Sequence, residues 1–398
     1  MIVLDNDRYP FGPDRAGEFE RVIQQVADRG CTSATIDGRH NFDRAMKVRT
    51  PTAFNGREKG LTISGTGQFS TSLVATGANR SGVLHVHRGD NRVQVIVKEM
   101  ALLSEVLASD TVDNGVMLQV TAEHPEGQPG AGDHRIHNFR GDELFVGPEG
   151  PEPHKRGRFK IGIDLNDMFY PKLTDVRVET NAGPDVAEYG IRITGCYDPW
   201  VIRPYVWGRF KYGVRTNSRA SGETYEGGRV EGGNIVHPDF CVWVDHTFDN
   251  DWLYEPGFHL IGNHLNPWSY GAVFTKHRHL VIQGNQFYAP NGSWDRSVPQ
   301  TVGLWLIKAA EATISGNQFL EPGYYTDDAN CSVGIKMGAG VQGIDIGVNT
   351  WNTGGIGVLN ESQGKNTMLR WPHSKGQRDG QWAPYKHVVD RTGTLEIA

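Results

Sequence analysis

The stretch GETYEGGRVEGGNIVHPDFCVWVDHTFDNDWLYEPGFH, residues 222–259, gathers Glu223, Glu226, Glu231, Asp239, Asp245, Asp249, Asp251 and Glu255. Among them stand Tyr225, Trp243, Trp252 and Tyr254. Carboxylates beside aromatic rings suit a carbohydrate: the apolar face of a sugar lies on the ring while the acids bond its hydroxyls. Hydrolysis of a glycosidic bond needs two carboxyl groups flanking it, about 5 Å apart for retention and about 6.5–9.5 Å for inversion. One of them must stay protonated, which burial or a neighbouring carboxylate can arrange. The catalytic candidates are Glu223, Glu226, Asp245 and Asp249. The spacing sets Glu223 or Glu226 against Asp245 or Asp249, about one repeat unit apart. The substrate-binding candidates are Trp207, Arg209, Arg215, Tyr225, Trp243, His246, Trp252 and Trp268. The plainer reading of FDNDW is a solvated polar turn.

Elimination from a uronic acid would need other parts, a base and a cation to neutralise the sugar carboxylate. His237, His246, Tyr254 and His264 are the bases at hand. Arg203, Arg209, Lys211 and Arg215 precede them, interleaved with Tyr205, Trp207 and Tyr212. Simple alternation of outward cations on strands explains the same pattern. No cofactor is expected, although the acids could hold calcium; no EF-hand or nonapeptide calcium repeat is present. KHRH, residues 276–279, reads as a turn before it reads as a metal site. GTGQFS fails the dinucleotide fingerprint, and there is no Walker-type loop.

These residues need a scaffold, and the chain repeats. Asn263, Asn285, Asn317 and Asn349 follow short apolar runs at spacings of 22, 32 and 32 residues, and a large side chain comes soon after each. A second series, GAVF from Gly271, GLWL from Gly303, GIKM from Gly334 and GIGV from Gly355, lies between them. GIRI, GVRT and CVWV, from Gly190, Gly213 and Cys241, are earlier members. Units of this length, built of short strands between Gly, Asn and Pro turns, make a solenoid. In it the Asn residues tolerate left-handed turns and bond one another in a ladder. Phe287, Phe319 and Trp351 stack inside the core. These Asn residues are structural.

Upstream, Phe19, Val22, Ile23, Val26 and Ala27 share one helix face, with Asp14 as N-cap and Gly30 as C-cap. An amphipathic helix here covers the open end of a solenoid. Loops at 122–135, 147–158 and 289–300 are rich in Pro and Gly and would wall a groove.

Composition closes other routes. The 398 residues include 50 Gly and 20 Pro with no collagen period, and the formal net charge of −6 gives no general affinity for nucleic acid. Cys31, Cys196, Cys241 and Cys331 form no CxxC pair, so separate thiols are expected. No apolar run is long enough to span a membrane. The opening MIVLDNDRYPFG has neither the basic nor the apolar region of a signal peptide.

A capping helix, then LTISGTGQFSTSLV at 61–74, then coils marked by ISGNQF, resembles the pectate-lyase superfamily of right-handed parallel β-helices. The entry segment is similar to that of phage tailspikes and related polysaccharide-cleaving enzymes. The usual start of that superfamily is absent; only YPFGPD stands near its place. The resemblance implies an all-β, right-handed parallel β-helix with an N-terminal capping helix. Segment 1–60 would hold the cap and first strands, 61–360 the β-helix, and 361–398 a terminal cap or oligomerisation tail. It also implies an enzyme that cleaves the glycosidic bonds of a polysaccharide, with a homotrimer as the assembly of many relatives. A lyase, an intramolecular transglycosylase or a non-catalytic adhesin shares the same shape. A tailspike-like protein would be extracellular or virion-associated; without a signal peptide the alternative is cytoplasmic.

Overall fold

The computed structural model describes residues 2–4, 14–28, 33–50, 60–88, 94–122, 139–150, 152–218, 227–245, 257–288, 301–321, 332–353, 356–364, 367–369 and 388–397. The chain divides into two compact units, residues 1–211 and 212–398. Both are built as a parallel β-helix, and α1 (Arg15–Asp28) is the one α-helix among the described residues. Parallel pairing of such short strands is open to this chain because the remainder of each coil serves as the long crossover that parallel strands require.

In the first unit, α1 starts where Asp14 Oδ1 accepts the Gly17 N–H at 3.0 Å. Its apolar stripe, Phe19, Val22, Ile23, Val26 and Ala27, is buried. Gly30 lies outside the described residues. The helix does more than cover apolar surface. Its Glu20 accepts the Lys47 N–H at 2.6 Å, and Gln24 both accepts the Arg49 N–H at 3.0 Å and donates to the Arg49 carbonyl at 2.9 Å. Among the described residues no strand pairs with this edge of Met46–Thr50, and these side chains occupy its backbone groups, so the ladder edge is closed rather than left open to another chain. From there Gly82–Arg88, Val116–Ala122, Ile161–Asn166 and Tyr189–Thr194 stack in register. Met46, Leu84, Leu118, Ile163 and Ile191 point inward and are buried. Lys47, His85, Gln119, Asp164 and Arg192 form one outward row, and Arg49, His87, Thr121, Asn166 and Thr194 another.

In the second unit the corresponding strands are Tyr212–Asn217, Phe240–Asp245, Tyr270–Phe274, Val302–Leu306, Val333–Met337, Ile356–Asn360 and Val388–Asp390. The glycine in the recurring motif is required by space. A Cβ on Gly213 would lie 2.6 Å from Ile235 Cγ2 and 2.7 Å from the Cys241 carbonyl, and one on Gly334 would meet Trp351 and the Gly357 carbonyl. Register pairs Ile335 with Val358, so the glycine equivalent to Gly334 is Gly357 and not Gly355. The residue pattern placed that last motif two residues early, because Gly stands at both 355 and 357.

The Asn series forms the expected ladder. Nδ2 of Asn263, Asn285 and Asn317 donates to Oδ1 of the next Asn at 2.9, 3.0 and 3.0 Å. The same Oδ1 atoms accept the backbone N–H of the preceding Asn at 3.0, 3.0 and 2.9 Å. All four residues are buried. The left-handed backbone angle belongs to the residue before, Gly262, Gly284 and Gly316, with φ of 66°, 65° and 67°. That corrects the expectation that Asn itself takes the left-handed turn: Gly turns the chain, and the freed Asn side chain bonds. Beside the ladder Phe287, Phe319 and Trp351 stack at 4.8 and 4.6 Å, with their planes nearly parallel at 2° and 10°.

Asn317→Ala removes the acceptor of two Asn285 bonds; the backbone N–H is left buried and unbonded, while Nδ2 keeps only its bond to the Leu260 carbonyl. Urea unfolding is expected to show a loss of about 2–4 kcal/mol. Gln318→Ala, on the exposed neighbour, is expected to stay within about 0.5 kcal/mol.

Candidate functional site

In the second unit, the outer face of the Tyr212–Asn217 sheet carries an ordered set of aromatic and charged side chains. Skipping the inward glycine sends the residue before it outward, together with those three and five positions later. The first position puts Tyr212, Phe240 and Tyr270 in register. Their rings stack at 5.2 and 4.9 Å with planes 22° and 5° apart, and Tyr270 stacks in turn on Trp305 at 5.4 Å. Burial pushes the Tyr270 phenol up from its ordinary value. Rings stacked from coil to coil spend their faces on one another and show their edges. Trp243 is different. It stands at 82° to Tyr212 and 83° to Phe240, with centroids 5.6 and 4.7 Å away. Its plane therefore runs along the stacking direction, the orientation in which a ring face can meet a chain lying across several coils.

Charge is fixed beside it. Arg215 places its guanidinium 4.9 Å from the Tyr212 ring and donates through Nη2 to Asp245 Oδ2 at 2.7 Å. Thr275 donates to the other oxygen, Asp245 Oδ1, at 3.1 Å. Lys336 sits 5.1 Å from the Trp305 ring. Arg215 and Asp245 are both partly buried, which strengthens their attraction relative to a surface pair.

Of the residues singled out from sequence, Arg215, Trp243 and Asp245 are thus brought onto one face. Trp268 lies in the turn before Tyr270–Phe274, its backbone N–H on the Pro238 carbonyl. Trp207 and Arg209 belong to the first unit, Trp207 in register with Glu179 and Arg209 exposed in the following turn. Glu223, Tyr225, Glu226, His246, Asp249 and Trp252 lie outside the described residues, as do Asp251, Tyr254 and Glu255. His264 lies on a strand of the other sheet and His237 in the turn after its neighbour Asn234–Val236; burial lowers the pKa of both. Phe240, Tyr270, Thr275, Trp305 and Lys336 were missed. A signal for the first two existed: the residue before the recurring glycine or cysteine is aromatic at 212, 240 and 270.

In the KHRH segment Lys276 and His277 are buried, Arg278 is partly buried and His279 is exposed. Among the described residues no three His, Cys, Asp or Glu side chains group as a metal site. Arg278 and His279 both pair with Glu311. His277 is buried against Phe258 and Phe274, with Nδ1 donating to the Arg278 carbonyl at 2.8 Å. Desolvation lowers its pKa to about 4. The Cys196 and Cys241 thiols are also separate and buried, as expected, and burial pushes the Cys196 thiol up to about 12; Cys31 and Cys331 lie outside the described residues.

No family model matches the chain, and no curated protein matches it in sequence. Solved structures match its path. The A-module of the mannuronan C-5 epimerase AlgE6 of Azotobacter vinelandii superposes with a TM-score of 0.57 at 12% identity, over 97% of this chain and 94% of that one. The A-module of AlgE4 from the same organism gives 0.51 at 12%, over 95% and 91%. Tailspike protein 3 of bacteriophage CBA120 gives 0.54 at 13%, over 100% of this chain and 59% of that one. The likeness is one of fold. This chain is a parallel β-helix, as its repeats implied, and the side chains on its outer faces are its own.

Because an unfolded His277 takes up a proton near pH 6.5 and the folded one only near pH 4, its contribution to stability is complete above 6.5 and is lost as pH falls towards 4. Urea midpoints measured from pH 7 to pH 4 are expected to fall, and to fall less in His277→Leu.

Proposed function

We propose that the protein binds an extended polysaccharide along the outer face of the Tyr212–Asn217 sheet and cleaves its glycosidic bonds. The observation that carries this reading is Trp243, set perpendicular to the aromatic stack, beside the Arg215–Asp245–Thr275 group. An indole face takes the apolar side of a sugar, while the guanidinium and carboxylate take its hydroxyls. Stacked coils repeat such contacts along one line, which suits a polymer better than a single sugar. The epimerase and tailspike names of the fold relatives agree with a glycan as ligand.

For the chemistry we favour two carboxyl groups, drawn from Glu223, Glu226, Asp245 and Asp249. As an ion pair with Arg215, Asp245 suits the carboxylate partner, which leaves proton donation to Glu223, Glu226 or Asp249. A lyase is the less favoured reading, because the described histidines near this window, His237 and His264, belong to the other sheet's strands and turns.

The test is a polysaccharide panel followed for new reducing ends and for the ultraviolet absorbance of an unsaturated uronate. Reducing ends alone are the expected result. Trp243→Ala should weaken binding of the active polymer roughly tenfold. Asp245→Asn and Glu226→Gln should lower turnover at least about a hundredfold while binding holds. Absorbance rising with the reducing ends would replace hydrolysis by elimination. Binding without turnover in the unaltered protein would make it an adhesin.

A further inference from the structure

The aromatic stack of the second unit carries a cation at each end, and the two cations differ. Tyr212, Phe240, Tyr270 and Trp305 follow one another ring on ring. Arg215 lies against the first ring, 4.9 Å from Tyr212, and Lys336 against the last, 5.1 Å from Trp305. Asp245 answers the charge of Arg215 through a bond of 2.7 Å. Lys336 is partly buried, and among the described residues no carboxylate pairs with it. An ammonium resting on an indole keeps its charge and its outer side free for a partner, while the ring and the apolar stem limit where it can go.

Register decides what this cation can reach. Trp243, Val273, Trp305 and Lys336 stand in line on consecutive strands of one sheet. At about 4.8 Å per coil, the strand of Lys336 is about 14 Å from that of Trp243. A single sugar resting on Trp243 does not span that distance, whereas a polymer lying across the coils does. The rest of the protein does not supply the same charge. Its formal net charge is −6, so an anionic polymer gains nothing from the overall field, and Arg215 beside Trp243 is already neutralised by Asp245.

We propose that Lys336 makes this face selective for a polysaccharide that carries anionic groups. Its ammonium donates a charge-assisted hydrogen bond to a carboxylate or sulfate, on a sugar some way along the chain from the one stacked on Trp243. The proposal rests on the reading of Trp243 given above, and adds to it the class of polymer and the residue that selects it. Lys336 acts here on binding along the polymer and takes no part in the bond that is broken.

The experiment is titration of the full chain with two pairs of polymers, polygalacturonate against its methyl ester and dextran sulfate against dextran. Each pair shares a backbone and differs in the anionic group. The parent is expected to bind the charged member of at least one pair more tightly. Lys336→Gln should weaken that member roughly three- to tenfold and leave the uncharged member as it was, while Lys336→Arg, which keeps the cation, should retain the preference. A preference in the first pair alone identifies carboxylate as the recognised group, in the second alone sulfate, and in both an anion of either kind. The proposal is overturned if the chain prefers neither charged polymer, if Lys336→Gln keeps the preference, or if it weakens both members of a pair equally, the mark of a cation that only supports Trp305. Failure of the reading it rests on shows elsewhere, as binding that Trp243→Ala leaves unchanged.

Discussion

Each coil of this chain satisfies its backbone only through the coils next to it. Most strands are too short to hold their place by length, and hydrogen bonds between parallel strands are evenly spaced, so a slip by two residues would cost the ladder little. What resists the slip is the inside of the coil. The Asn263–Asn349 ladder bonds side chain to side chain and side chain to backbone at every step, and the Phe287–Phe319–Trp351 stack fits only in register. The glycines that face these rings leave no room for any other residue. Register is thus set by buried polar and aromatic side chains, and the outward residues inherit it.

That inheritance turns a sequence into a surface. Once register holds, the residue two positions after the glycine, or after the residue in its place, recurs at the same point on every strand of a sheet. In the second unit this line brings Arg215, Trp243, Trp305 and Lys336 together with the Tyr212, Phe240 and Tyr270 stack. In the first it brings Lys47, His85, Gln119, Asp164 and Arg192 together. The two faces use the same backbone for different chemistries, one aromatic with fixed charges and one polar. An inner frame that does not depend on the outer residues leaves those residues open to change.

The ends follow the same constraint. The Met46–Thr50 strand ends its sheet among the described residues, and α1 supplies partners for its edge from Glu20 and Gln24. A helix that only buried apolar surface would have left two N–H groups and a carbonyl open to another chain. The apolar periodicity of α1 was readable in advance; the two polar residues that bond the strand edge were not, because they look like ordinary surface positions of a helix.

The sequence by itself determined the repeat, the fold class, the capping helix and the structural role of GNQF, because all of these rest on local periodicity. It also pointed to Arg215, Trp243 and Asp245, three residues near one another in the chain. It did not show that Arg215 and Asp245 pair, that Trp243 turns perpendicular to its neighbours, or that the last glycine of the series is Gly357. The polar row of the first unit was invisible, since its members are 38, 34, 45 and 28 residues apart and no fixed period links them. Only the tertiary structure decided these, because turns of unequal length separate strands that stack at one constant spacing. Sequence distance records the turns, whereas chemistry depends on the stacking.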